Sequence, residues 1–210
     1  MSCATHMQPK TVAIVTFDRF NELDSLIALH LFGRVKEHGI AAEIVSPTET
    51  VTSMNGVRVT GARPLEWARE ADVVLFGSGR GNRDATSDPA VMGRLRIDPR
   101  RQLVGSQCSG ALALHALGIV GQRPFCTDLV TRRIFDDLGV PVSDRAFGVD
   151  GNVATAGGCL SAQYLAAWVL TRTLGWERAR EAILYIAPVG EEDETVARVR
   201  AALEAAGAYP

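Results

Sequence analysis

Cysteine is scarce in this chain, with four in 210 residues. Cys3 lies in the stretch Met1–Met7, which reads as a disordered or tag-derived N-terminus with Met7 as the natural start. That leaves Cys108, Cys126 and Cys159, an odd number at irregular spacing. Such a set argues against a disulfide framework and against a zinc site, and it suits a reducing cytoplasm. Charge of one sign is also lacking. Lys and Arg number 22 against 24 Asp and Glu, a net charge of -2, so there is no electrostatic case for binding nucleic acid or an anionic membrane. No apolar run approaches the roughly 18 residues of a membrane span, and the N-terminus has no charged-then-apolar signal pattern. Internal repeats, low-complexity tracts and linkers are absent as well.

What is present suits one globular enzyme domain over residues 8–210, with 47% apolar and 22% charged residues. Thr11–Phe17 is β-branched and apolar, as a buried parallel strand should be. Asp24–His38 carries Leu26, Ile27, Leu29, Leu31, Phe32 and Val35 at helical spacing, and Gly39 ends it. Strands follow at Ala41–Ser46, Asp72–Phe76 and Leu103–Gln107. Hairpins are expected around Asn55-Gly56 and Asp150-Gly151. Helices are expected at Pro64–Glu70, Pro89–Arg96, Val130–Leu138, Ser161–Leu174, Glu177–Ile186 and Glu192–Ala205. Strands alternating with helices predict an α/β sandwich with a mostly parallel sheet.

The chemistry centres on Cys108. A short apolar strand runs into Ser106-Gln107-Cys108-Ser109-Gly110, and an apolar helical run follows it. This is the pattern of a nucleophile elbow, with Ser106 in place of the first glycine. A thiol at a helix N-terminus is expected to have a lowered pKa and to be partly thiolate at neutral pH. The competing reading is a buried structural cysteine. Gly77–Asn82 leaves another strand end. If the two strands are neighbours, the Gly79 and Ser109 N–H groups can form an oxyanion hole. The loop lacks the Lys and Ser/Thr of a phosphate-binding P-loop. Asp24, with Glu22 beside it, opens the first helix and is either a cap or an acid reaching toward the elbow. Asp128 sits where a strand meets a helix, in the place a triad would use for its base, and no histidine accompanies it. His30 and His115 read as packed or surface residues, so a His-activated mechanism is poorly supported. Ala156-Gly157-Gly158-Cys159 reads as close backbone packing, with Cys159 a small core residue. Phe20, Trp67, Phe125, Phe147 and Trp168 are the aromatic candidates for pocket walls.

From Met7 onward the chain resembles the ThiJ/PfpI superfamily, which is related to class I glutamine amidotransferases. The resemblance is carried by VAIVTFDRFNELDSL, DVVLFGSGRGN, VGSQCSGALALHALG, DDLGV and DGNVATAGGCLSAQYLAAWV. Leu23-Asp24 and Leu184-Tyr185-Ile186-Ala187-Pro188 bring it nearest to the isonitrile hydratases. The resemblance implies a flavodoxin-like three-layer sandwich, a homodimer and no metal or organic cofactor. It makes Cys108 the nucleophile, Asp24 its acid partner, and Gly79 and Ser109 the donors of backbone N–H groups. The chain departs from the pattern at four places. Ser78-Gly79 replaces the usual Gly-Gly, and Ser25-Leu26-Ile27-Ala28 stands where isonitrile hydratases have Gly-Pro. Asp128 replaces a frequent His, and Gln107 a smaller residue. Ser78, Gln107, Thr127 and Asp128 are thus the candidates for a pocket of altered specificity. The leading expectation is thiol-dependent hydration of a small electrophile, an isonitrile giving an N-substituted formamide. A glyoxalase or deglycase activity, and a non-catalytic redox sensor using the same thiol, remain alternatives.

Overall fold

The structure, a computed structural model, describes residues 10–119 and 124–209. The expectation for residues 1–7 lies outside them. The strands are β1 (Lys10–Val15), β2 (Ile40–Ser46), β3 (Thr50–Thr52), β4 (Arg58–Thr60), β5 (Arg63–Pro64), β6 (Val73–Phe76), β7 (Leu103–Gln107), β8 (Phe147–Asp150) and β9 (Val153–Ala156). The helices are α1 (Glu22–Arg34), α2 (Asn82–Ser87), α3 (Pro89–Met92), α4 (Ala111–Ala116), α5 (Leu129–Asp137), α6 (Ala162–Leu174), α7 (Trp176–Ile186) and α8 (Glu192–Ala205). Seven strands form one sheet in the order β5-β2-β1-β6-β7-β9-β8, and β3 and β4 make a separate hairpin. Every pairing in the large sheet is parallel except β8 with β9.

The strands are apolar on both faces because helices cover both. Successive residues point to opposite sides of a strand. Val12 and Ile14 of β1, with Val73 and Leu75 of β6, join the core beneath α1, α6, α7 and α8. Ala13 and Val15, with Val74 and Phe76, join the core on the other face, with α4, Phe135 of α5 and Leu95. The result is a three-layer α/β sandwich. Among the described residues no helix is long and apolar enough to cross a membrane.

Four local differences separate the structure from the sequence reading. Helix α1 begins at Glu22, and its N-cap is Asn21, whose side chain accepts from the Leu23 N–H; Asp24 is therefore not the cap. The run expected to remain helical to His38 breaks after Arg34 into a short 3-10 turn at Lys36–His38. The loop expected from Gly77 to Asn82 ends one residue early, because α2 starts at Asn82, and Pro89–Arg96 forms a helix only as far as Met92.

Candidate active site

Strands β1, β6 and β7 lie side by side with their carboxyl ends together, the position where open parallel sheets bind ligands. Three loops leave those ends. The first carries Asn21 into α1, the second runs through Ser78 and Gly79, and the third is the turn at Cys108. Cys108 adopts φ 47°, a left-handed conformation uncommon for a residue with a side chain. Such a backbone costs about 1–3 kcal/mol and persists only where its surroundings impose it. Here they do. A Cβ on Gly110 would lie 2.4 Å from the Phe76 carbonyl oxygen, so only glycine lets the turn press against β6. Thr127 Oγ1 donates to the Cys108 carbonyl at 2.8 Å. Gln107 Nε2 donates to the Gly158 carbonyl at 2.8 Å and to Ser161 Oγ at 3.2 Å, and lies 3.4 Å from Cys108 Sγ.

The cleft above this turn has a volume of about 510 Å³. Asp24, Ser78, Gly79, Cys108, Ser109 and Cys159 form its floor and near wall, and Met54, Leu112, Val130 and Ile134 supply apolar surface. Arg80 and Arg83 stand exposed at its edge, and neither forms an ion pair with another described residue. None of the five aromatic candidates lines the cleft; Phe20, Phe125, Phe147 and Trp168 are buried in the core. No described histidine lines it either. His30 packs on Tyr185 and His115 on Phe135.

Asp24 is 2% exposed. Ser78 Oγ donates to its Oδ2, while its Oδ1 is buried without a hydrogen-bond partner. A carboxylate oxygen of Asp24 and the sulfurs of Cys108 and Cys159 all lie within 4.8 Å of one another. Burial, and then the negative charge of Asp24, push the Cys108 thiol far above its ordinary pKa. This corrects the expectation of a lowered value. The elbow places the sulfur at a helix start, but at 4% exposure and beside a carboxylate the cost of an ionised thiol prevails.

Gly79 approaches so closely that a Cβ would lie 2.4 Å from the Arg19 carbonyl oxygen. Its N–H donates to Ser109 Oγ at 3.1 Å, so the Ser109 hydroxyl engages one of the two N–H groups expected to bind an oxyanion. Ser78 and Asp128 line the cleft. Gln107 and Thr127 do not: Thr127 Oγ1 holds the Cys108 carbonyl, and Gln107 Nε2 reaches the Gly158 carbonyl, Ser161 Oγ and the Cys108 sulfur. Asp128 caps α5, accepting from the N–H groups of Val130 at 2.8 Å and Thr131 at 3.0 Å. Glu22 points to the β3–β4 hairpin, where it accepts from Ser53 Oγ and from Asn55 Nδ2. Those two bonds hold its carboxyl below the usual range, the Ser53 bond most.

Cys159 is the residue that sequence reasoning missed. It is half-buried in the cleft wall, not sealed in the core, and Asn21 Nδ2 donates to its sulfur at 3.2 Å. The one signal for it was its position in a glycine-rich turn after a strand. Gly157 does pack as expected: a Cβ there would lie 2.3 Å from the Thr127 carbonyl oxygen.

Compared with known families, residues 10–172 match the DJ-1/PfpI family. Among solved structures, a ThiJ/PfpI family protein from Pseudomonas syringae is similar with a TM-score of 0.75 at 18% identity, over 96% of this chain and 91% of that one. Drosophila melanogaster DJ-1beta gives 0.71 at 19% identity, over 86% and 100%. Schizosaccharomyces pombe DJ-1 gives 0.69 at 15%, over 85% and 99%. No curated protein sequence matches the chain. At these identities the structural likeness establishes the flavodoxin-like fold.

Proposed function

The chain belongs to the DJ-1/PfpI family, and on that premise we propose that it is a cysteine-dependent enzyme that hydrates a small electrophile, an isonitrile giving an N-substituted formamide. One observation carries this reading: the unpartnered Oδ1 of buried Asp24, beside the Cys108 sulfur, in a cleft lined by no described histidine. The reaction needs a soft nucleophile and one group that carries a proton in both directions. The terminal carbon of an isonitrile accepts both a sulfur and a proton. The Cys108 thiol gives up its proton through Asp24 Oδ1 as sulfur bonds to that carbon. The same proton goes to the carbon, leaving a thioimidate with C–H, C–S and C=N bonds. Water then adds to the thioimidate carbon and a proton moves to nitrogen. The C–S bond breaks, the sulfur regains a proton, and the formamide leaves.

Asp24 suits this traffic because its two oxygens differ. Ser78 Oγ fixes Oδ2 and so orients the carboxyl, and Oδ1 is left for the proton. A thiol with a high pKa is no obstacle, since its proton moves to the carboxyl only as the carbon–sulfur bond forms. The apolar surfaces of Met54, Leu112, Val130 and Ile134 suit a hydrocarbon substituent, and Arg80 and Arg83 favour one that carries an acceptor or a negative group. The test is steady-state hydration of an aryl isonitrile, followed by its absorbance, in wild type, Cys108→Ala and Asp24→Ala. Turnover in wild type and its loss in both variants is the expected result. Turnover that survives in Asp24→Ala would remove the proton-carrying role, and no turnover in wild type would sink the isonitrile assignment.

A further inference from the structure

The cleft holds a second thiol that hydration does not use. We propose that Cys159 is a resolving cysteine: once a hydroperoxide has oxidised Cys108, Cys159 closes a Cys108–Cys159 disulfide that takes the nucleophile reversibly out of action. The proposal rests on reading Cys108 as a reactive thiol, not on the identity of the electrophile that it hydrates.

Three observations support it. The two sulfurs lie within 4.8 Å of each other, although their residues are far apart in sequence and leave different strands. Cys159 follows Gly158, which adopts φ 87°, and lines the same cleft as Cys108. Asn21 spends both ends of its amide here: Oδ1 caps α1, and Nδ2 donates to the Cys159 sulfur. Burial and then Asp24 raise the Cys159 thiol above its ordinary pKa, and the Asn21 donor offsets part of that cost for the attacking thiolate. A disulfide bond is about 2 Å long, so the sulfurs must close the remaining gap. Cys159 has the room to do so, being half-buried beside Leu160, which is 67% exposed.

The steps balance with a hydroperoxide as the sole oxidant. The Cys108 sulfur attacks one peroxide oxygen; an S–O bond forms and the O–O bond breaks. The sulfur is oxidised to a sulfenic acid, and the other oxygen leaves as water or an alcohol with the thiol proton. The Cys159 sulfur then attacks Cys108 Sγ; the S–S bond forms, the S–O bond breaks, and hydroxide leaves with the Cys159 proton as water. Asp24 lies within reach of both sulfurs and can carry that proton. A small external dithiol reverses the bond by exchange. Without a resolving thiol, further peroxide takes a sulfenic acid on to the irreversible sulfinic acid.

The experiment treats the full chain carrying Cys3→Ser with an excess of hydrogen peroxide, blocks free thiols, and maps peptides by mass spectrometry without reduction. Isonitrile turnover is measured in parallel before peroxide, after it, and after dithiothreitol. The expected product joins the Cys108 and Cys159 peptides with the loss of two hydrogens, and dithiothreitol separates them. Adding Cys126→Ser leaves the link intact, because Cys126 is 1% exposed in the core. Adding Cys159→Ser abolishes the link and sends Cys108 to the sulfinic acid, which dithiothreitol does not reverse. Oxygen on Cys108 with no link in the parent chain overturns the proposal and leaves Cys108 a reactive thiol. An unmodified Cys108 overturns both. A link in a chain with no turnover before peroxide keeps the disulfide and removes the hydratase reading.

Discussion

Asp24 and Cys108 make opposite demands on each other, and that tension is measurable. The carboxylate, after burial, raises the thiol pKa, yet the proposed chemistry needs the carboxylate as a proton carrier. Asp24→Asn removes the charge and keeps the shape. Cys108 should then titrate at lower pH, read from the pH dependence of iodoacetamide alkylation or from thiolate absorbance. Isonitrile turnover should fall by about 10²–10⁴-fold in the same variant, the usual contribution of a positioned acid–base group. A thiol that becomes harder to ionise in Asp24→Asn would refute the electrostatic half of this argument. At this scale the sequence made Cys108, Asp24 and Gly79 legible, because a glycine-flanked strand end and an acid at a helix start are local patterns. Two things were not legible. The height of the thiol pKa depends on burial depth, and the place of Cys159 depends on a turn whose direction only the packed chain sets.

Among the elements, α5 shows how one residue type can stand for two roles. Asp128 occupies the position where a base was sought, and it spends its carboxyl on the free N–H groups of α5 and on Thr131 Oγ1. Asp128→Ala should destabilise the fold by about 1 kcal/mol, the ordinary worth of an N-cap, and Asp128→Ser should restore most of it. Denaturant unfolding of the three proteins decides the matter; a serine variant no better than alanine would mean that Asp128 stabilises by its charge and not by capping. Longer elements with strong patterns were legible in the sequence. Glu192–Ala205 is a helix over the whole expected span, and both Asn55-Gly56 and Asp150-Gly151 turn hairpins. Helix α2 was not, because six residues entered from Gly81 offer no side-chain cap and almost no apolar period. It is held from outside, by buried Asn82 donating to the Gly77 carbonyl at 2.8 Å.

For the molecule as a whole, the alternation of strands and helices made the parallel sheet legible, since strands covered on both faces must be apolar throughout. The strand order was not, because it follows from which crossover packs on which face. That order brings charged groups from distant segments together. Asp72, at the start of β6, is held below its ordinary pKa even though burial opposes it, by the Thr11 N–H at 2.9 Å and by Lys10 Nζ at 3.0 Å on neighbouring β1. The Arg94 guanidinium holds Glu66 at about 2 from an ordinary 4.5. Glu22, Asp98 and Glu181 are lowered too, by Ser53, Arg100 and Arg178 first. A carboxyl whose folded pKa is depressed adds stability above its unfolded pKa and loses it as pH falls through the folded value, because the unfolded chain then binds more protons. The thermal midpoint should therefore hold level from neutral pH to just above 4.5 and decline from there toward 2, the range through which Glu66 titrates. These groups are largely solvated, so each contributes little and the decline is gradual. Asp72→Asn should lower the neutral plateau and soften the decline below its ordinary 3.8, since it removes the member of this set that ties β6 to β1. Circular dichroism melts across the acid range test this, and a midpoint already falling steeply between neutral pH and 5 would show that groups other than these carboxylates govern the acid limit of the fold.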